Sequence, residues 1–279
     1  MSEQNCYYGS REEELLRANG LEDFSALWEL ELNWFEPPNF RRSGWSGAAR
    51  HELKNPDGTP LGIFIKRQEN HLRRTPRYPG GCPTFRIEWQ NLERLFRRGV
   101  PVTQPFYYGE RLVEGRPQAI LITYELKGFT PFDEWLESHP EGPHRLSTRT
   151  AVLPTVADAV RTFHDQGFRH NCLYPKHIML HFRRTEEAAA SEARLIDLEK
   201  SRRVFSRLQA RIRDLATLMR RCPQWSPYER NLFLNYYLKA GLEHLPPHQL
   251  AEQLWRYPLV KWVKRRLAAN LKQKQPEQG

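Results

Sequence analysis

Two imidazoles and a thiol crowd one short stretch, Phe168-Arg169-His170-Asn171-Cys172-Leu173-Tyr174-Pro175-Lys176-His177-Ile178-Met179-Leu180. After a charged loop, a second apolar run ends on an acid, in Arg194-Leu195-Ile196-Asp197-Leu198-Glu199. Histidine and thiolate can take or orient a proton. A carboxylate at the end of a strand can hold a hard divalent cation on phosphate oxygens. The combination suits phosphoryl transfer. That reaction needs a backbone cradle and a cation on the phosphates, a metal-holding oxygen, and a group that orients the attacking hydroxyl.

The kinase catalytic loop has the pattern H-R-D-L-x-x-x-N followed by a metal-binding Asp. His170, Leu173 and Asp197 fit it; Cys172 stands at the base position and His177 at the metal-ligand Asn position. Imidazole suits Zn²⁺ and Mn²⁺ better than Mg²⁺. His177 is therefore either a metal ligand or a hydrogen-bond partner of phosphate or metal-bound water.

Other parts stand upstream. Gly44-Trp45-Ser46-Gly47 is a candidate phosphate cradle, since small residues let backbone N–H groups come close; by itself it also reads as an ordinary turn. Lys66 closes the apolar run Gly62-Ile63-Phe64-Ile65 on the second arm of an expected hairpin. The following helix offers Glu88 or Glu93 as its partner. Glu88 is preferred over Glu93. Leu121 to Leu126 reads as a strand leading into a linker, so backbone groups of Glu125 and Leu126 are candidates for holding an adenine edge. Asp214, on an otherwise apolar helix face, needs buried donors; backbone N–H groups around His170 would supply them.

The elements that must position these residues fall into two unlike halves. Small residues and a turn at Asn55-Pro56-Asp57-Gly58 mark strands before about residue 124. Helical spacing dominates after about 130: 132–137, 148–166, 208–218, 223–237, 247–255 and 260–271. Residues 11–35 are partly helical, and 67–84, with three prolines and two glycines, reads as a loop. The expected divisions are a helical extension at 1–39, a strand-rich lobe at 40–126, a helical lobe at 127–271 and a polar tail at 272–279. The fold class is α+β.

The sequence holds 43 Lys and Arg against 33 Asp and Glu, a net charge of +10. Such a surface attracts polyanions. Four scattered cysteines without a CxxC pair make neither a zinc site nor a disulfide scaffold, and a reducing cytosol is the simplest compartment. No apolar run reaches the 18 residues of a membrane span, and the polar, acidic N-terminus does not read as a signal peptide.

With these pieces in order, the chain resembles the protein-kinase-like superfamily. Within it, it is most similar to the bacterial lipopolysaccharide core kinases, the Kdo/heptose kinases, and the related InaA proteins. The resemblance rests on Glu88-Trp89-Gln90-Asn91-Leu92 running into Arg98-Gly99-Val100-Pro101-Val102, and on Leu121 to Phe129. It continues through His170 to Leu180, Leu195 to Glu199, and Arg213-Asp214-Leu215-Ala216, covering roughly residues 40–240. It implies a bilobal kinase-like fold and an ATP- and Mg²⁺-dependent sugar kinase. The implied acceptor is a heptose or Kdo hydroxyl of the lipopolysaccharide inner core. The implied place is the cytoplasm, with peripheral contact at the inner membrane.

In the resemblance Lys66 matches the phosphate-binding lysine, Glu88 its partner and Asp197 the metal aspartate. The active kinases resemble His-x-Asp-x-Tyr-x-x-His at the loop; this chain keeps His170, Tyr174 and His177 but carries Cys172 in place of the aspartate. A thiol is mostly protonated at neutral pH and orients a hydroxyl less well than a carboxylate. Two readings follow: an active kinase with an altered base, His170 or His177 substituting, or a pseudokinase that binds nucleotide or acts as an envelope-stress scaffold. A nucleic-acid binder built on the Arg-rich segments 67–77 and 202–221 is disfavoured, because those cations are interspersed with helix-stripe positions rather than collected in an aromatic-lined groove. No nucleic-acid partner is expected.

Overall fold

The computed structural model describes residues 4–35, 37–41, 44–140, 146–182 and 192–272. The chain divides into two compact units, Met1–Lys127 and Gly128–Gly279.

The first unit is built on a six-stranded antiparallel sheet. Its elements are β1 (Gln4–Tyr7), α1 (Ser10–Ala18), α2 (Phe24–Glu29), β2 (Asn39–Arg41), β3 (Gly44–Lys54) and β4 (Pro60–Glu69). They continue with β5 (Leu72–Thr75), β6 (Tyr78–Pro83), α3 (Thr84–Phe96), β7 (Pro105–Val113) and β8 (Arg116–Tyr124). The strand order is β1-β7-β8-β4-β3-β2. The period-2 alternation of β4 sorts its side chains. Ile63 and Ile65 are fully buried and share a core with Leu15, Leu16, Phe24, Leu27, Phe106, Ile120 and Ile122. Phe64 and Lys66 take the opposite face.

That core corrects one expectation. Residues 1–39 are no extension: β1 pairs with β7, and α1 and α2 roof one face of the sheet. The buried Glu12 accepts from Tyr124 Oη at 2.7 Å, and Arg67 donates to the Leu30 carbonyl at 2.7 Å. Complete burial of Leu16, Phe24 and Leu27 is worth about 1.5–3 kcal/mol for each. A second correction concerns residues 67–84. β4 runs on to Glu69, and the rest forms the two-stranded hairpin β5–β6.

The second unit is mostly helical. It contains β9 (Phe129–Pro131), α4 (Phe132–Ser138), α5 (Leu146–Ala151), α6 (Leu153–Asp165), β10 (Phe168–Arg169) and a single 3₁₀ turn at Pro175–His177. Then come β11 (Ile178–His181), β12 (Glu192–Leu195), β13 (Arg202–Arg203), α7 (Arg207–Arg221), α8 (Pro227–Leu238), α9 (Pro247–Leu254) and α10 (Pro258–Lys272). β12, β11 and β9 form one small sheet, and β10 with β13 another.

The expected helix over 148–166 is two helices broken at Val152. Pro154 sits in the first turn of α6, where a missing amide is harmless. Val152, Val156, Val160 and Phe163 are all fully buried. The helix expected from Pro223 begins later, at Pro227, because Ser226 and Glu229 form a reciprocal capping box. Glu229 also takes the Arg149 guanidinium, both groups being buried, at 2.6 Å. Residues 273–279 of the expected polar tail lie outside the described residues.

Candidate functional site

In the first unit the chemistry centres on Lys66. It lies in β4 opposite Ala48 of β3 and Leu121 of β8. Its Nζ donates to Glu88 Oε1 at 2.7 Å and lies 5.9 Å from the centre of the Phe85 ring. Glu88 is 1% exposed against 24% for the lysine side chain, so the carboxylate is the anchored partner and the ammonium the accessible one. Glu93, the other candidate, pairs instead with Arg97 one turn along α3.

Gly44 and Gly47 both lie inside β3, and each has a packing reason to be glycine. A Cβ on Gly44 would sit 2.4 Å from the Glu69 carbonyl oxygen, and one on Gly47 would sit 2.8 Å from the Trp34 ring. At the end of β8, the Glu125 carboxylate accepts from Arg50 Nε at 2.6 Å and Nη2 at 2.8 Å. The hydrogen bonds from Arg50, with the charges of Arg50 and Lys127, hold the Glu125 carboxyl below its usual range against the opposing effect of burial. The Glu125 amide donates to the Gly62 carbonyl at 3.0 Å. A Cβ on Gly62 would collide with Glu125 Oε2 at 1.7 Å. Sequence reasoning missed this clamp; its signal was a glycine four residues before Lys66.

In the second unit Asp214, 0% exposed, organises the loop. Its Oδ2 accepts from the His170 amide at 2.6 Å and its Oδ1 from the Asn171 amide at 3.0 Å. His164 reaches the same carboxylate at 3.2 Å through Nε2 and meets Tyr237 Oη at 2.9 Å through Nδ1. Burial alone would raise the Asp214 carboxyl; the hydrogen bonds it accepts from His164 and from the His170 amide help to outweigh it and hold the group below the usual carboxylate range. Asn171 has φ +67°, a left-handed position that asparagine tolerates, and its Nδ2 donates to the Lys200 carbonyl at 2.7 Å.

His170 is fully buried, and desolvation pushes its pKa down to about 4, against the pull of Asp214. Its Nε2 lies 3.1 Å from the Ile196 carbonyl. A carbonyl can only accept, so the neutral ring carries its proton on Nε2 and ties the loop to the residue before Asp197. His177 is fixed the same way: Nδ1 lies 2.8 Å from the Cys172 carbonyl and so carries a proton. Its Nε2 then faces Asp197 Oδ2 at 3.3 Å. Asp197 has φ +59°, a strained region for a non-glycine residue and one common at functional sites.

The expected residues of the loop are thus gathered, but they differ in access. The Asp197 side chain is 37% exposed and that of His177 10%. Cys172 is 5% exposed, and its carbonyl is taken by His177 and by the Tyr174 amide. Tyr174 stands beside His177 and under the guanidinium of Arg221, 5.0 Å from its ring centre. Among the described residues no group of three or more His, Cys, Asp or Glu forms a metal cage. One carboxylate and one imidazole do not make a structural zinc site. They do fit Mg²⁺, which keeps waters and is held by one or two carboxylates together with substrate phosphates.

The lipopolysaccharide kinase (Kdo/WaaP) family model matches residues 25–237. The chain belongs to that family. The match takes in Lys66, Glu88, the 170–177 loop, Asp197 and Asp214. Protein InaA of Escherichia coli (strain K12) is 35% identical over 190 residues, 68% of this chain and 83% of that protein. Among solved structures, a chain described as WaaP in complex with acyl carrier protein aligns with a TM-score of 0.63 at 22% identity. It covers 95% of this chain and 98% of its own, and at that identity it shows the kinase-like fold alone.

Proposed function

We propose that this family member is an ATP- and Mg²⁺-dependent phosphotransferase that acts on a heptose or Kdo hydroxyl of the lipopolysaccharide inner core, in the cytoplasm. The observation that carries the reading is the Lys66–Glu88 pair, a buried carboxylate holding an accessible ammonium at 2.7 Å. Such a pair fixes a cation for nucleotide phosphates. The Glu125 carbonyl and the Leu126 backbone are the groups offered to the adenine edge. Gly44 and Gly47 are the proposed cradle, beside their packing role. Asp197 is the Mg²⁺ ligand, with His177 bound to it or orienting its carboxylate. The bound ion would neutralise phosphate charge.

Tyr174, beneath Arg221, offers a flat, half-buried ring to a sugar. The acceptor hydroxyl has the thiol of Cys172 where relatives of the active type have a carboxylate. The transfer passes through a loose transition state in which positioning and charge carry most of the acceleration. Losing a base typically costs about 10²–10⁴-fold. The outcome is a slow enzyme rather than an inert one. His170 is a poor substitute, buried and with its Nε2 proton given to a carbonyl; His177 is the better placed.

The 95% burial of Cys172 favours a second reading, a pseudokinase that binds nucleotide without transfer. Purified protein with Mg²⁺-ATP and dephosphorylated core oligosaccharide distinguishes the two. The first reading expects phosphorylated sugar with wild type and none with Asp197→Ala. No transfer by wild type, with ATP still raising the unfolding temperature, gives the second.

A further inference from the structure

The C-terminal helices carry a surface that phosphoryl transfer does not explain. α10 turns Leu259, Val260 and Val263 inward and packs against α7. The opposite side is unusual. Trp262 is 51% exposed and Trp255, just past α9, is 42% exposed. Each indole lies beside a cation: Arg265 is 6.0 Å from the Trp262 ring centre, and Lys264 Nζ is 4.5 Å from that of Trp255. Arg265 and Arg266 follow Trp262 at i+3 and i+4, on the same helix face, and Lys261 is exposed beside it. From Gln253 to Pro276 the sequence holds seven Lys or Arg and no Asp or Glu.

A basic helix face by itself is an ordinary solvated surface. The exposed indole of Trp262 within that face is what needs explaining. An indole has an apolar body and one polar N–H, and it is most stable at the boundary between hydrocarbon and water. Lysine and arginine stems bury methylenes while their heads reach anionic groups. Together they describe a helix that lies in the plane of an anionic lipid surface. No described helix is long and apolar enough to cross a membrane, so contact through this face is peripheral.

We propose that this face of α10 is a docking face for anionic membranes, placing Trp262 at headgroup depth while Lys261, Arg265 and Arg266 meet lipid phosphates. This goes beyond the proposed reaction, and its test contains neither nucleotide nor sugar, so the two ideas fail separately.

The test is sedimentation of the full chain with vesicles of phosphatidylethanolamine and phosphatidylglycerol, against vesicles of phosphatidylcholine. Binding is expected only to the anionic vesicles, weakening with salt, with a blue shift of tryptophan emission. Arg265→Ser/Arg266→Ser should lower the partition coefficient roughly twenty-fold or more, and Trp262→Ser should abolish most of the blue shift. Both changes are at exposed positions, and an unaltered unfolding temperature checks that the variants remain folded. Arg74→Ser/Arg77→Ser, on the β5–β6 hairpin, removes equal charge elsewhere. An equal loss from that variant would mean net charge alone drives binding and would overturn the proposal. So would absence of vesicle binding, or binding to single-stranded RNA that anionic vesicles do not compete for.

Discussion

On the proposed reading, Lys66 serves the phosphates and Cys172 stands where the proton acceptor belongs, and their surroundings contrast. Around Lys66 the structure holds a complete pair: an anchored carboxylate, an accessible ammonium and a flanking ring. Around Cys172 the loop backbone is tied down at several points. Asp214 fixes two successive amides, His170 ties the loop to Ile196, and His177 joins the Cys172 carbonyl to Asp197. A loop that had simply decayed would not keep the buried Asp214 carboxylate bonded to two successive amides and to His164, because buried polar groups cost free energy unless bonded. The contrast teaches that the loop's backbone is held by Asp214, His170 and His177, so on the proposed reading its geometry does not depend on the side chain at 172.

The largest expected effect is on transfer. Asp197→Ala should lower the rate by about 10³-fold or more, the loss of a charge-stabilising group in phosphoryl transfer. A rate within tenfold of wild type, measured by phosphate incorporation into core sugar, would remove Asp197 from the site.

Asp214→Ala attacks the scaffold. It leaves the His170 and Asn171 amides without their acceptor, each costing about 1–3 kcal/mol. A clear fall in denaturant midpoint is expected; an unchanged midpoint would show that the loop is held by something else.

The pH dependence follows from His170. Its folded pKa, about 4, is depressed by burial below the unfolded value near 6.5. The neutral ring therefore supports the fold above pH 6.5, and that contribution drains as pH falls towards 4. The full effect is roughly 3 kcal/mol. The His170 ring resonances should stay fixed between pH 7 and 5, whereas an ordinary histidine titrates there.

Much of this was readable in the sequence where contacts are signalled by period and spacing. Lys66 was legible because a lysine interrupts an apolar strand, and its partner because Glu88 stands at i, i+4 and i+7 with Leu92 and Leu95, an acid on the buried face of α3. Asp214 was legible as an acid on an apolar helix face. What was hidden has physical reasons. The β5–β6 hairpin is basic and proline-rich and pairs only with itself, so it lacks the apolar alternation of a central strand. The roofing role of α1 and α2 depends on tertiary packing that short helices do not announce. Arg149–Glu229 and His164–Tyr237 join residues 80 and 73 apart in the chain, with no local pattern to link them. The left-handed backbone of Asp197 is a property of its surroundings, not of aspartate.

On the proposed reading, Cys172 alone departs from a working loop, standing where the proton acceptor belongs. The most direct measurement is the transfer rate of wild type and Cys172→Asp side by side, with Mg²⁺-ATP and dephosphorylated core oligosaccharide. The predicted result is measurable transfer by wild type and a rise of about tenfold or more when the carboxylate is supplied. No transfer by either protein, or equal rates in both, would contradict it.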